Sequence, residues 1–171
     1  MLLYEDIITG DEMFSDAFPM KLVDGIAYEV DCQMIVLKEG DVDIGANPSA
    51  EEQEEALEAG AISVNNIAHS FRLQSTVYDK KAYLGHLKDY MKKVAEKLAE
   101  SGDPNALATV TDFKAKANVF AKKIVGNFKD YEFYTGESMN IEGMVALLNY
   151  REDGITPYFT FWKHGLKEVK L

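Results

Sequence analysis

Cysteine is almost missing from this chain: Cys32 is the single one in 171 residues. That rules out an intrachain disulfide and every structural zinc site built from paired Cys-x-x-Cys motifs, and it fits a reducing compartment. Basic residues are scarce too, 18 against 29 acids for a formal net charge of -11. No general nucleic-acid binding is expected, because phosphate neutralisation needs a basic surface. Long apolar runs are missing as well, and the opening MLLYEDII has no positive n-region. A soluble, cytoplasmic protein with no membrane insertion is therefore expected.

The catalytic signatures are also absent. The chain has no HExxH pair, no G-x-S-x-G elbow, no G-x-x-x-x-G-K-[ST] phosphate loop and no G-x-G-x-x-G after a strand. His69, His86 and His164 are scattered without ligand spacing. Cys32 lies in an apolar run, where a buried inert thiol is the expectation. The chain reads as a binding protein, with no catalytic residues, no required cofactor and no zinc.

What is present suffices for one domain spanning residues 1–171. At 47% hydrophobic residues, a chain of this length buries roughly two thirds of its unfolded surface. The first part carries short β-branched and aromatic runs, MLLYEDII, KLV and IAYEVDCQMIVLK, with Asp24-Gly25 as a hairpin cue between the last two. VNNIAHSFRLQST resumes strand character after an acidic stretch. From Asp79 the period changes. Tyr83, Leu87, Tyr90, Met91, Val94 and Leu98 recur three or four apart, predicting an amphipathic helix capped by Asp79 and stopped at Gly102. Asp103-Pro104 then predicts a second helix with Leu107, Val110, Phe113, Ala117, Phe120 and Ile124 inward, ending near Gly126. A link this short makes an antiparallel helical hairpin over about 79–126. YEFYTG, MVALLNY, YFTFW and LKEVKL return to strand, with Glu152-Asp153-Gly154 as a second hairpin turn. The expected class is α+β, a sheet joining both ends of the chain with the helices to one side.

Charge is unevenly spread. Glu39 to Glu58 holds eight acids and no base, which predicts a solvated, mobile acidic loop over about 39–63. Asp41, Asp43, Asn47, Ser49 and Glu52 occupy positions 1, 3, 7, 9 and 12 of a calcium loop, but Gly45 and Ala46 stand where a ligand and the turn glycine belong. A weak calcium site at Asp41, Asp43, Asn47 and Glu52, with Kd about 10⁻⁴ to 10⁻³ M, is the most this pattern supports. Residues 79 to 123 have the opposite sign, ten lysines against six acids. The ordinary reading is a solvated face; the functional one is an anionic protein partner held by salt-sensitive contacts.

Several ordered motifs resemble the translationally controlled tumour protein family, also called histamine-releasing factor or fortilin. IGANPSAEE, with Ile44, Gly45, Ala46, Asn47, Pro48, Ser49 and Glu51, resembles its first signature, and FKDYEFYTGESM its second. DEMFSDAF, HSFRLQ, KDYMK and LNYREDGITPYFTFWKHGL agree, so the resemblance covers the whole chain. It implies a small twisted β-rich core, tent-like and similar to Rab-associated nucleotide-free chaperones, with an inserted helical hairpin. It further implies calcium binding, microtubule stabilisation, control of growth and protein synthesis, partial association with the cytoskeleton, and contact with a translation elongation factor and a Ras-like small GTPase.

Two functional readings stand beside each other. In one, Glu12, Gly136 and Glu137 are the GTPase-contact positions that the resemblance marks, and the protein is a nucleotide-exchange or nucleotide-free chaperone partner. In the other, the chain is a cytoskeletal and translation-factor binding module whose lysines Lys88, Lys92, Lys93, Lys97, Lys122 and Lys123 meet tubulin or another anionic partner, with no exchange activity.

Overall fold

Strand pairing ties the two ends of the chain together. In the computed structural model, which describes residues 1–37 and 62–170, β1 (Leu2–Asp6) lies between β2 (Glu12–Ser15) and β11 (Leu166–Lys170) in a three-stranded antiparallel sheet. A six-stranded sheet runs in the order β3 (Met20–Val23), β4 (Ala27–Asp31), β10 (Pro157–Trp162), β9 (Ala146–Tyr150), β8 (Glu132–Thr135), β7 (Gln74–Thr76). Strands β5 (Met34–Leu37) and β6 (Ile62–Asn65) form a separate ribbon. The helices are α1 (Asn66–Phe71), α2 (Lys80–Ala99) and α3 (Ala106–Gly126).

The two turn cues hold. Asp24 and Gly25 both take positive φ, 54° and 69°, in the three-residue turn 24–26 between paired Val23 and Ala27, where the Ile26 amide donates to the Val23 carbonyl at 3.1 Å. Asp153 accepts hydrogen bonds from the Ile155 and Thr156 amides at 2.8 and 2.9 Å and closes the β9–β10 connection. Asp79 caps α2 by accepting from the Ala82 amide at 2.7 Å.

Four expectations need correction. IAYEVDCQMIVLK is two strands in different sheets, because the chain turns at Cys32-Gln33, where the Gln33 amide donates to Asn66 Oδ1 at 2.9 Å. VNNIAHSFRLQST is interrupted by α1: Asn65 accepts from the Ile67 and Ala68 amides at 3.0 and 3.1 Å, an N-cap that overrides the β-branched pattern. Helix α3 starts at Ala106, two residues beyond Pro104, because Asp103 Oδ1 accepts from the Asn105 amide at 2.8 Å and holds a turn instead of a cap. Leu107 is 81% exposed; six residues at about 100° each set it about 120° away from Phe113 around the helix. The acidic loop lies outside the described residues, except that Ile62 and Ser63 already belong to β6.

The core sits between the sheets and the hairpin. Tyr4 stacks on Phe14 at 4.5 Å, and Phe14 on Phe161 at 4.5 Å, joining the small sheet to the large one. Phe120 meets the single tryptophan, Trp162, edge-on at 5.4 Å, and Tyr83 meets Phe133 at 5.2 Å, seating both helices on the β-layer. These aromatic pairs add about 0.5–1.5 kcal/mol each beyond the area they bury.

Candidate functional site

The β1–β2 turn, YEDIITGDE, folds on its own polar side chains. The Asp6 carboxylate accepts from the Ile8 amide at 3.0 Å and from Thr9 Oγ1 at 3.0 Å, while Thr9 Oγ1 accepts from the Asp11 amide at 3.1 Å. Asp6 also reaches 138 residues along the chain, accepting from the Met144 amide at 2.7 Å. It is 2% exposed. Burial pushes its carboxyl above the ordinary range, with a smaller push from the Asp11 charge, while the three hydrogen bonds act in the opposite direction. The neighbouring Tyr90 hydroxyl is pushed up by burial and then by the Asp6 charge, and it has no hydrogen-bond partner of adequate geometry.

The loop joining β8 to β9 is pressed onto this turn at two glycines. A methyl group on Gly136 would sit 2.4 Å from Asp11 Oδ2, and one on Gly143 would sit 2.5 Å from both Asp6 Oδ2 and Thr9 Cγ2. Neither position has room for a side chain. Ser138 Oγ donates to Asp11 Oδ2 at 2.6 Å and completes the clasp. Glu12 and Glu137, far apart in sequence, thereby flank one pair of contacting loops, both exposed. Glu12 makes no ion pair among the described residues, whereas Glu137 meets Arg72 at 3.3 Å with both side chains more than half exposed. That pair is worth little in water.

Composition did not single out Asp6, Thr9, Asp11 and Gly143. A signal was nevertheless present: Asp, Thr, Gly and Asp within six residues is turn chemistry in which short polar side chains bond their own backbone.

The hairpin is a different surface. Lys88, Lys92, Lys97, Lys122 and Lys123 are exposed along α2 and α3. Lys93 is only partly so, since it pairs with Glu142 of the β8–β9 loop at 3.4 Å and thus touches the first site. Lys123 lies 5.4 Å from the Phe120 ring centre. Between the helices runs a groove of about 970 Å³, floored by Leu87, Met91, Ala95, Val110 and Ala117, with Lys88, Lys92 and Lys114 on its walls beside Asp89 and Glu96.

Other sequence expectations are placed as follows. The Cys32 thiol is buried, accepts from Asn65 Nδ2 at 3.0 Å and is pushed by burial up to about 11, so little thiolate forms at neutral pH. The calcium candidates Asp41, Asp43, Asn47 and Glu52, and the signature residues Ile44, Gly45, Ala46, Asn47, Pro48, Ser49 and Glu51, lie outside the described residues. Among the described residues no three His, Cys, Asp or Glu side chains converge to hold a metal ion.

Comparison with known proteins supplies the family. The family model for "Translationally controlled tumour protein" matches residues 1–167. The chain belongs to the translationally controlled tumour protein family. It is 63% identical to the homologue from Mycosarcoma maydis over 171 residues and 60% identical to that from Yarrowia lipolytica over 171, in each case across the whole of both chains. Among solved structures it resembles the translationally controlled tumor-associated protein p23fyp of Schizosaccharomyces pombe, at 53% identity and TM-score 0.81 over the full length of both chains. The solution structure of the Caenorhabditis elegans protein follows at 32% identity and TM-score 0.73, covering 100% of this chain and 99% of that one. The mixed helix and sheet architecture, a β-rich core bearing a helical hairpin, is thus that of translationally controlled tumour proteins.

Proposed function

We propose that the protein is a non-enzymatic, cytoplasmic regulator of growth and protein synthesis that engages a Ras-like small GTPase through the face formed by Glu12, Gly136 and Glu137. The clasp supports this reading: Asp11 packs on Gly136 and bonds Ser138, bringing the start of β2, with exposed Glu12, against the β8–β9 loop that carries exposed Glu137. A carboxylate held this way competes with nucleotide phosphates for bound Mg²⁺ or props a switch segment open, and neither action needs covalent chemistry from this chain. Release of labelled nucleotide from the GTPase tests it. Glu12→Val should reduce the stimulated rate at least about tenfold, equivalent to about 1.4 kcal/mol; no stimulation by the unaltered protein, or an unchanged rate with the variant, would sink it.

The second reading is favoured by the groove on the hairpin. Exposed lysines beside an apolar floor suit an acidic amphipathic partner such as a tubulin tail or a segment of a translation elongation factor. Microtubule cosedimentation across a salt series is the test; binding that ignores salt, or survives replacement of Lys92, Lys93, Lys122 and Lys123, counts against it. Weak calcium binding at Asp41, Asp43, Asn47 and Glu52 is a separate proposal, checked by calcium titration of Asp41→Asn.

A further inference from the structure

Strand β7 ends the six-stranded sheet, and among the described residues it pairs with β8 alone. Its outer edge therefore presents backbone N–H and C=O groups with no strand beside them, the feature that lets another chain add on. Edges elsewhere in the fold are guarded. Strand β3 follows Pro19 and carries exposed Lys21, β11 carries Lys167, Glu168 and Lys170, and β2 and β5 are largely buried. Strand β7 has none of these guards: the run LQSTVY, from Leu73 to Tyr78, contains no charge, proline or glycine. Ser75 is exposed, and Val77, just past the strand, is 91% exposed.

This edge borders a cleft of about 920 Å³, lined on one side by β6 and α1 and on the other by β7, β8 and β9. Strand β6 is likewise uncharged and pairs only with β5. Two unguarded strands thus face one cavity. The opposed pairs Ser75–Tyr134 and Glu132–Leu148 bring Ser75, Tyr134, Leu148 and Tyr150 to one face of the large sheet, because side chains alternate along a strand. Val64 and Leu73 extend this apolar lining. The charged groups at the cleft, Glu132 and Arg72, cancel.

We infer that the β7 edge receives an extended, uncharged segment of another protein as a seventh strand, a surface separate from both the carboxylate face and the lysine groove. Main-chain hydrogen bonds along Leu73–Val77 hold the added strand, and its alternate side chains enter the cleft toward Val64, Leu73 and Tyr134. Charge selects the occupant. A cleft without net charge gives no partner to a lysine or glutamate on the incoming strand, so an uncharged segment is the one that matches it. A second copy of this chain fits less well, since two bodies of net charge -11 repel each other.

The test uses the full-length protein and three capped peptides in which threonine alternates with valine, isoleucine or tyrosine, each with a lysine at both ends for solubility. NMR titration reads affinity, and amide exchange reads place. At least one peptide should bind and slow exchange at Ser75, Thr76 and Val77. Its analogue N-methylated throughout the interior keeps the side chains but has no backbone donors, and should bind at least about tenfold more weakly. Val77→Lys and Ser75→Lys supply the guard that β3 and β11 already have, and each should weaken binding about fivefold. Tyr150→Ser should weaken it about threefold. Val77 is so exposed that its variant should melt as the unaltered chain does, and Ile155→Lys should leave binding unchanged. No binding by any of the three peptides at about 1 mM overturns the inference. Equal binding of the N-methylated analogue, or protection at Ser63 and Val64 in place of β7, does the same. Self-association in sedimentation of the protein alone, abolished by Val77→Lys, overturns it in favour of a second copy.

Discussion

The helical hairpin and the clasped loops are attached to one β-body by opposite means. The hairpin is seated by apolar area, through Tyr83, Leu87, Tyr90, Val94, Phe113, Ala117, Phe120 and Ile124, all buried, and it turns a lysine-rich face outward. The clasp is held by a buried carboxylate, a serine–aspartate hydrogen bond and two glycines without room for a side chain, and it turns carboxylates outward. Apolar attachment is strong and tolerant of small shifts, because it is non-directional and scales with area. Polar attachment stabilises less and fixes geometry more tightly, since each bond has a preferred length and angle. The clasp is therefore the better platform for a contact that depends on where two carboxylates sit, and the hairpin the better one for diffuse charge attraction.

The largest expected effect breaks the apolar side. Phe120→Ala removes the ring that meets Trp162 edge-on and should cost about 3–5 kcal/mol. Denaturant unfolding reads the loss, and hydrogen exchange should show α2 and α3 opening while the Met144 amide keeps its protection. Asp6→Ala breaks the other side. It strands the Met144 and Ile8 amides, both bonded to Asp6 in the intact fold, and should cost about 1–3 kcal/mol. Here the exchange pattern should invert, with the Met144 amide opening and the hairpin holding. Gly136→Ala, which drives a methyl group into Asp11, should cost about 1–3 kcal/mol by overpacking and separate Glu12 from Glu137.

The two regions should also answer acid in opposite senses. His86 on α2 and His164 against Phe113 are both pushed below their ordinary 6.5 by burial, which outweighs the opposing Ile141 backbone bond and Asp89 charge at the first and, joined by Lys163, the opposing Asp112 charge at the second. Above pH 6.5 both are neutral whether folded or not. Below it the unfolded chain takes up the proton first, so hairpin stability falls as pH drops toward the folded values. Asp6 is raised above 3.8. Below that value its carboxyl is protonated in both states; as pH rises the unfolded chain ionises first, so its contribution is lost through the raised folded value. Between roughly pH 6 and 4, acidification should therefore loosen the hairpin and tighten the clasp. Amide exchange corrected for intrinsic rates checks this. His86→Gln with His164→Gln should flatten the first response, and Asp6→Asn the second.

The two sides were not equally legible in the sequence. A helix announces itself through a period sustained over many residues, so the buried faces of α2 and α3 could be read almost whole; only Leu107, beyond the last inward position, was misplaced. Hairpin turns were equally plain at Asp24-Gly25 and Asp153-Gly154, where backbone geometry restricts the residue types. The clasp is a contact between residues more than a hundred apart, made by one aspartate and two glycines, and no local pattern encodes which distant glycine an aspartate will touch. Glu12, Gly136 and Glu137 were reached by resemblance alone. The geometry shows only that Asp11, next to Glu12, packs on Gly136 and accepts from Ser138. Strand breaks at Cys32-Gln33 and at Asn65 were missed because side-chain hydrogen bonds there override an apolar, β-branched run.

The smallest expected effect tests whether the two regions are coupled at all. Among the described residues one ion pair bridges them, Lys93 on α2 to Glu142 in the clasped loop at 3.4 Å. With Glu142 two-thirds exposed, the pair should contribute no more than about 0.2–1 kcal/mol and less in salt. Lys93→Ala alone should barely move the melting temperature. The informative measurement is a cycle combining it with Gly136→Ala, which loosens the loop from the other end. Tyr90 of α2 also neighbours Asp6 and His86 of α2 bonds the Ile141 backbone, but Lys93 and Gly136 share no partner, so their effects should add within about 0.3–0.5 kcal/mol. A larger interaction energy would mean that the loop's position depends on the hairpin, and a partner bound to the lysine face would then alter the spacing of Glu12 and Glu137.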